Sequence, residues 1–289
     1  MKTHRIIQVI SDISDVSYNE MYAVMQSIAQ SMSKKLIDIA PLASVKELSI
    51  THGAFITRLL TKHFSCPAVI FTNVAPHPIF KDDLICKLKD RDIIYIGSNN
   101  GIFGWLANDF EFEYLIRVKK LYPFIVDGKI IYLPGQNPPK DIEKILNTNP
   151  AYKTFSAHVI YGAIATALAL DVDYKKFGDN ISKDKIVPLN IKNGEIVHID
   201  NYGNVKIYGA LTSKIGAHIE VYLKNKCIAE AKYINDRMMS HDTDSFVLYP
   251  STSPPGMVDL AMVRNNAAAH LGLNINDVLS FKTVSRASK

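Results

Sequence analysis

Apolar and polar positions along the chain divide it into two regions of different character. The chain opens with "RIIQVISD", a short apolar run fit for a buried strand, after which Met21, Val24, Met25, Ile28 and Met32 recur at the spacing of one helix face. Asp15 or Ser17 stands where the cap of that helix belongs. "KKLIDIA" reads as a second strand, "THGAFITRLLTKHF" as a helix, "PAVIFTNV" as a third strand and "DIIYIG" as a fourth. Strands alternating with helices predict an α/β domain with a mostly parallel sheet. The apolar stretch "NPAYKTFSAHVIYGAIATALAL" adds a long helix packed on that sheet, with Thr154 or Ser156 at its start. Residues 178–190, "GDNISKDKIVPLN", are polar, broken by Pro188 and without apolar period. The N-terminal α/β domain is therefore expected over 1–180 and a linker over 181–190.

Beyond the linker the pattern changes to short strands. "GEIVHID", "NVKIYG", "AHIEVYLKN", "KCIAEAKYI", "SFVLYP", "MVDLAMV" and "DVLSFKTV" predict a smaller, antiparallel, barrel-like β domain over 191–289.

Composition agrees with two domains, since 289 residues of which 47% are hydrophobic can supply two cores. The longest apolar stretch, Val159 to Leu170, is too short to span a bilayer, and the apolar part of "MKTHRIIQVISD" is too interrupted for a signal peptide. Cys66, Cys86 and Cys227 lie far apart without metal-ligand spacing, which fits a reducing, cytoplasmic location and no metal. The net charge of +5 arises from 33 basic residues spread along the chain, so neither nucleic acid nor a membrane is the expected partner.

Candidate chemistry is sparse. No GxGxxG follows the first strand and no P-loop occurs. Asp12 instead falls at the carboxyl end of the first strand, where open α/β sheets gather ligands and a carboxylate can accept both hydroxyls of a ribose; bracing the loop is its simpler role. His77, in "NVAPHP" after a predicted strand, is the best placed histidine for acid–base work, and Ser156 stands at a helix start where capping competes with ligand contact. In "VHIDNYGNVKIYG", Asp200, Tyr202 and Asn204 alternate about Gly203. A turn needs only the glycine and one Asx residue, so an acid, an aromatic and an amide on one face suggest a clamp for a charged, planar ligand.

Five segments in order carry a resemblance to a known family. "VISDISD" is similar to an opening "TDFG…D" loop, "LIDIAPLASVKELSITHGAFITRLLTKHF" to "I.DI.H…GA..L…FP", and "IGSNNGIFGWL" to "APDNGLLS". "IDNYGNVKIYG" is close to "ID.FGN..TNI", and "STSPPGMVDLAMVRNNAAAHLGLNINDVLSF" to "S.G.LEIA…GNAA..LGL..GD.V". Together they resemble the S-adenosylmethionine (SAM) hydroxide adenosyltransferases, the superfamily of the SAM-dependent fluorinating and chlorinating enzymes. The resemblance implies a homotrimer that binds SAM between the N-terminal domain of one subunit and the C-terminal domain of the next. It implies Asp12 on the ribose hydroxyls, Asp200 on the methionine ammonium, Asn204 on the adenine edge, Tyr202 packed on the ligand and the Ala267 backbone closing the adenine pocket.

The chain departs from the family at the reacting centre. Where hydrolytic members carry an Asp, the aligned residue is Asn73, or Ala75 if the prolines are matched; the expected Arg becomes Phe80 or Asp82. The family His falls on Ser156, with His158 two residues on, and the serine of halogenating members falls on Ala157. Two readings follow. In one, the protein cleaves SAM to adenosine and methionine with Asn73, Ser156 or His77 in altered roles. In the other, it is a non-catalytic sensor or scaffold for SAM or a nucleoside.

Overall fold

The computed structural model describes residues 5–74, 82–119, 125–126, 129–130, 140–141, 144, 148, 160–252 and 256–284. The chain is mixed α/β with two seven-stranded sheets. It divides into two compact units, Met1–Leu189 and Asn190–Lys289.

In the first unit the order is β1 (Ile6–Ser11), α1 (Val16–Ser33), β2 (Ala43–Ser44), α2 (Ile50–His63), β3 (Ala68–Asn73), β4 (Asp83–Leu88), β5 (Ile93–Ser98), α3 (Gly104–Asp109) and β6 (Phe112–Val118). A separate ribbon of β7 (Ile125–Val126) and β8 (Lys129–Ile130), then α4 (Gly162–Ala169) and β9 (Gly178–Asn180), complete it. The strand order is β2-β1-β3-β5-β4-β6-β9. β2, β1, β3 and β5 run parallel, whereas β4, β6 and β9 each pair antiparallel.

The sheet is therefore mixed, which corrects the expectation of a mostly parallel one. The reason is connection length: a parallel crossover needs about a dozen or more residues, and the short stretch Lys89–Asp92 between β4 and β5 permits only a hairpin. "KKLIDIA" is also corrected, since it forms only an isolated bridge, Ile7 to Ile39, ahead of the two-residue β2.

Local sequence explains the helices. The Asp15 carboxylate accepts from Ser17 N–H at the start of α1, which buries Met21, Met25, Ile28 and Ala29 along one stripe. Ser49 caps α2 by accepting from His52 N–H. On one sheet face α1 and α4 cover Ile7, Val9, Val69, Phe71, Ile85, Ile94 and Ile96. Phe55 of α2 and Tyr95 and Phe103 are fully buried elsewhere in this unit, the last two edge to face at 6.3 Å. β3 is buried along its whole length, as a central strand covered on both faces requires.

The second unit contains β10 (Ile196–Ile199), β11 (Val205–Tyr208), β12 (His218–Leu223), β13 (Lys226–Tyr233), β14 (Phe246–Pro250), β15 (Met257–Met262), α5 (Ala267–Leu271) and β16 (Leu279–Thr283). Each strand lies within one of the seven segments that alternation predicts. Their order is β10-β11-β15-β14-β13-β12-β16, antiparallel except for β13 beside β14. A bridge between Glu195 and Val278, with Ile196 N–H donating to Asp277 O at 2.8 Å, draws the outer strands together into a curled half-barrel. Ile196, Val205, Ile207, Ile219, Val221, Leu248 and Leu260 fill its core.

Candidate functional site

At the carboxyl end of β1, β3 and β5 the apolar face of the first sheet turns polar. Successive side chains of a strand alternate between faces, so Ser11, Asn73, Ser98 and Asp83 continue the face that carries Val9, Phe71, Ile96 and Ile85. Ser11 pairs with Asn73 and Ser98 with Asp83, while Asn73 and Ser98 follow the paired Thr72 and Gly97. Four strands thus end in one polar row.

The row is bonded as two pairs. Ser11 Oγ donates to Asn73 O at 2.9 Å and accepts from Asn73 Nδ2 at 3.3 Å and from Ile13 N–H at 3.0 Å. Ser98 Oγ donates to Asp83 Oδ1 at 3.0 Å, and Tyr161, at the start of α4, donates its hydroxyl to Asp83 Oδ2 at 2.5 Å. Burial pushes the Asp83 carboxyl above the ordinary aspartate range, although the two hydroxyl donors pull the other way and nearby Asp82 adds repulsion. Burial likewise raises Tyr161. The Tyr161 ring lies 6.3 Å from that of Phe71, which holds the hydroxyl over the strand ends.

Asp12 follows Ser11 directly, and its Oδ2 accepts from Leu48 N–H at 3.0 Å. Leu48 is exposed and left-handed, φ 57°, in the turn that leads into α2. The carboxylate therefore sits at the strand end and braces the neighbouring loop. Asn99 and Asn100 extend the polar edge. Asn99 donates to Lys185 O at 2.9 Å and accepts from Val187 N–H at 2.8 Å, and Asn100 donates to Val74 O at 2.9 Å.

In the second unit the hairpin between β10 and β11 is a closed polar knot. Asp200 Oδ1 accepts from Tyr202 N–H and Asn204 N–H, each at 2.9 Å, and Oδ2 accepts from Asn204 Nδ2 at 2.9 Å. Tyr202 is 78% exposed. Gly203 takes φ 82°, and its carbonyl accepts from Ala268 N–H at 3.1 Å. A side chain at Gly203 would meet Asn266, which caps α5 by accepting from Ala269 N–H at 2.7 Å. The fold thereby sets Gly203 against the start of α5, where Ala267 is fully buried.

A second polar row crosses this sheet. His198 is paired with Lys206, Lys206 with Asp259, and Asp259 with Tyr249. Lys206 Nζ donates to Asp259 at 2.8 and 3.1 Å and to Ser251 Oγ at 3.2 Å. Burial lowers His198, with Lys206 reinforcing and Asp200 opposing. Burial also raises Asp259, and pushes Tyr249 up to about 12 with help from Asp259 and Asp200.

Of the residues singled out in the sequence, Asn73 is bonded to Ser11, Asp12 follows Ser11 directly, Asp200, Tyr202 and Asn204 share one hairpin, and Ala267 opens the helix to which that hairpin is bonded. His77 and Ser156 lie outside the described residues. Sequence reasoning missed Ser98, Asp83 and Tyr161, and also His198, Lys206 and Asp259. One signal for the first group was present: in "KDDLICKL" an acid opens an apolar strand. Among the described residues no helix is long and apolar enough to cross a membrane.

No protein-family model and no curated protein matches the chain. Among solved structures, the chain is similar to an uncharacterized conserved protein from Thermotoga maritima, with TM-score 0.71 and 15% identity over 96% of this chain and 100% of that one. It is also similar to a conserved hypothetical protein from Thermus thermophilus, with TM-score 0.65 and 14% identity over 96% of this chain and 100% of that one. At these identities the likeness concerns the fold.

Proposed function

We propose that the protein binds SAM or a related adenosyl nucleoside, as a homotrimer of the adenosyltransferase kind, and cleaves SAM to adenosine and methionine by attack at C5′. The observation that carries this reading is the knot at Gly203, which joins the turn preceding Asn204 to Asn266 and Ala268, the residues on either side of Ala267. An amide held there suits adenine. Asn204 Nδ2 gives one hydrogen to Asp200 and keeps a second for adenine N7, while its carbonyl oxygen accepts from N6.

Asp200 uses three acceptor positions within the hairpin, and a carboxylate offers about four. That leaves room for an ammonium. Asp12, at the end of β1, supplies the carboxylate for the ribose hydroxyls. A sulfonium is a good leaving group, so the protein has mainly to align and shield the nucleophile.

Incubation of the purified protein with SAM tests this directly, with adenosine and methionine expected in equal amounts. No release above a heat-killed control removes the enzyme. The second reading, a sensor that binds without turnover, is favoured by Asn73, whose amide is committed to Ser11 and is no base. Calorimetric binding of SAM with the ligand recovered intact would select it. A trimeric mass by light scattering tests the assembly.

A further inference from the structure

At the strand ends of the first unit, Asp83 is unlike the other carboxylates described. Many of those meet a cation or a backbone N–H, as Asp92 meets Arg5 and Asp109 meets Arg58. Asp83 meets two hydroxyl groups instead, Ser98 Oγ and Tyr161 Oη, one on each oxygen. The neighbouring Asp82 takes Arg117, 3.2 Å from its Oδ2, so the local cation is already engaged.

Hydroxyls differ from ammonium or guanidinium partners in one chemical respect. They can donate to a carboxylate and, after a rotation, accept from a carboxylic acid, so the set is bonded in either protonation state. A carboxyl shielded from water and surrounded in this way is suited to passing a proton in either direction. Its place matters equally, because it ends the same row as Asn73, at the edge where open α/β sheets gather ligands.

We propose that Asp83, with Tyr161 and Ser98, is the acid–base group of this site and takes the proton of an attacking O–H nucleophile. The proposal rests on the adenosyl reading above. In the step, the water oxygen forms the bond to C5′ as the C5′–S bond breaks, and the electron pair of that bond neutralises the sulfonium to give methionine. One water proton passes to the Asp83 carboxylate, directly or through Tyr161 or Ser98, and then leaves to solvent. The other remains as the 5′-hydroxyl of adenosine.

Among the described residues, the charged and titratable groups facing Asp83 are Asp82 beside it, Tyr161 from the start of α4 and, through Asp82, Arg117 of β6. The Tyr161 and Ser98 hydrogen bonds lower the Asp83 pKa and burial raises it. Removing the phenol must therefore move the acid limb of the rate to higher pH.

The test is adenosine release from SAM across pH for the full chain and its Asp83→Asn and Tyr161→Phe variants, with near-ultraviolet circular dichroism as the folding control. Asp83→Asn is expected to lower the rate by about 10²-fold or more and to remove the acid limb. Tyr161→Phe is expected to lower the rate by less than Asp83→Asn does and to shift the acid limb upward, which a purely structural tyrosine would not do. Folded Asp83→Asn protein with the wild-type rate and pH profile overturns the proposal alone. No turnover by the wild type overturns the cleavage reading and this assignment with it.

Discussion

Ser11 and Asn73 close two adjacent parallel strands with a bond in each direction: the hydroxyl donates to the Asn73 carbonyl, and the Asn73 amide donates back to the hydroxyl. Asn73, one of the two residues that the family resemblance aligns with an activating carboxylate, thus carries a donor with a defined partner. Converting it to an acid would set two acceptors against each other, because the single Ser11 hydrogen is already committed.

Asn73→Asp is accordingly expected to destabilise the protein by about 1–3 kcal/mol, the cost of leaving a buried polar group unsatisfied, and to do so more at neutral than at acid pH. Urea unfolding at two pH values checks this. Asn73→Asp equal in stability to wild type at neutral pH would contradict the bonding described.

Asp83 gives the first unit a pH dependence of definite sign. Its native pKa is raised by burial, so between the ordinary aspartate range, about pH 4, and the raised native value the native state holds more proton than the unfolded chain. Its contribution is complete below the unfolded pKa and is lost as pH rises through the native one. Unfolding free energies of Asp83→Asn should therefore fall less steeply with pH than those of wild type. Parallel curves would show the carboxyl to be unperturbed.

His198 acts in the opposite direction. Burial and Lys206 lower its native pKa, so below about pH 6.5 the unfolded chain takes up a proton that the native state resists. Stability is present above that value and is lost as pH falls through the native pKa. His198→Gln should flatten the acid side of the stability profile, measured by thermal melts in a pH series.

Lys206 and Asp259 form a pair that is costly to break on one side. Asp259 is 6% exposed and faces Lys206 Nζ at 2.8 Å. Lys206→Met leaves that carboxylate without its cation and should cost about 3–5 kcal/mol. The double variant Lys206→Met/Asp259→Leu should recover much of the loss, because no charge is then stranded. A double-mutant cycle by denaturant unfolding measures the coupling.

Gly203→Ala tests the hairpin. The residue has φ 82°, and an added Cβ would displace Asn266, the cap of α5. The strain and the lost cap together predict roughly 2 kcal/mol of destabilisation and, on the proposed function, weaker nucleoside binding as the turn shifts away from the start of α5. Unchanged binding and stability would mean that the knot has no part in either.

Much of the local structure was legible in the chain. The alternation of the last hundred residues specified seven strands because each has one face in an apolar core, and a register slip would turn Val205, Ile207 and Leu260 outward. Asp15 and the stripe from Met21 to Ile28 specified α1, since a cap and a 3.6-residue period are local properties. Asp200, Tyr202 and Asn204 were visible as a group because one turn holds them.

Strand order and direction were decided only in the tertiary structure. "DLICKL" is apolar enough to be a strand in either direction, and its antiparallel place between β5 and β6 follows from short connections and side-chain packing, not from composition. The same packing made a single row of Ser11, Asn73, Ser98 and Asp83 and brought Tyr161 onto it. Their chemistry depends on shielding and on hydroxyl partners supplied by segments far apart in the chain, and a sequence read in order contains no term for either.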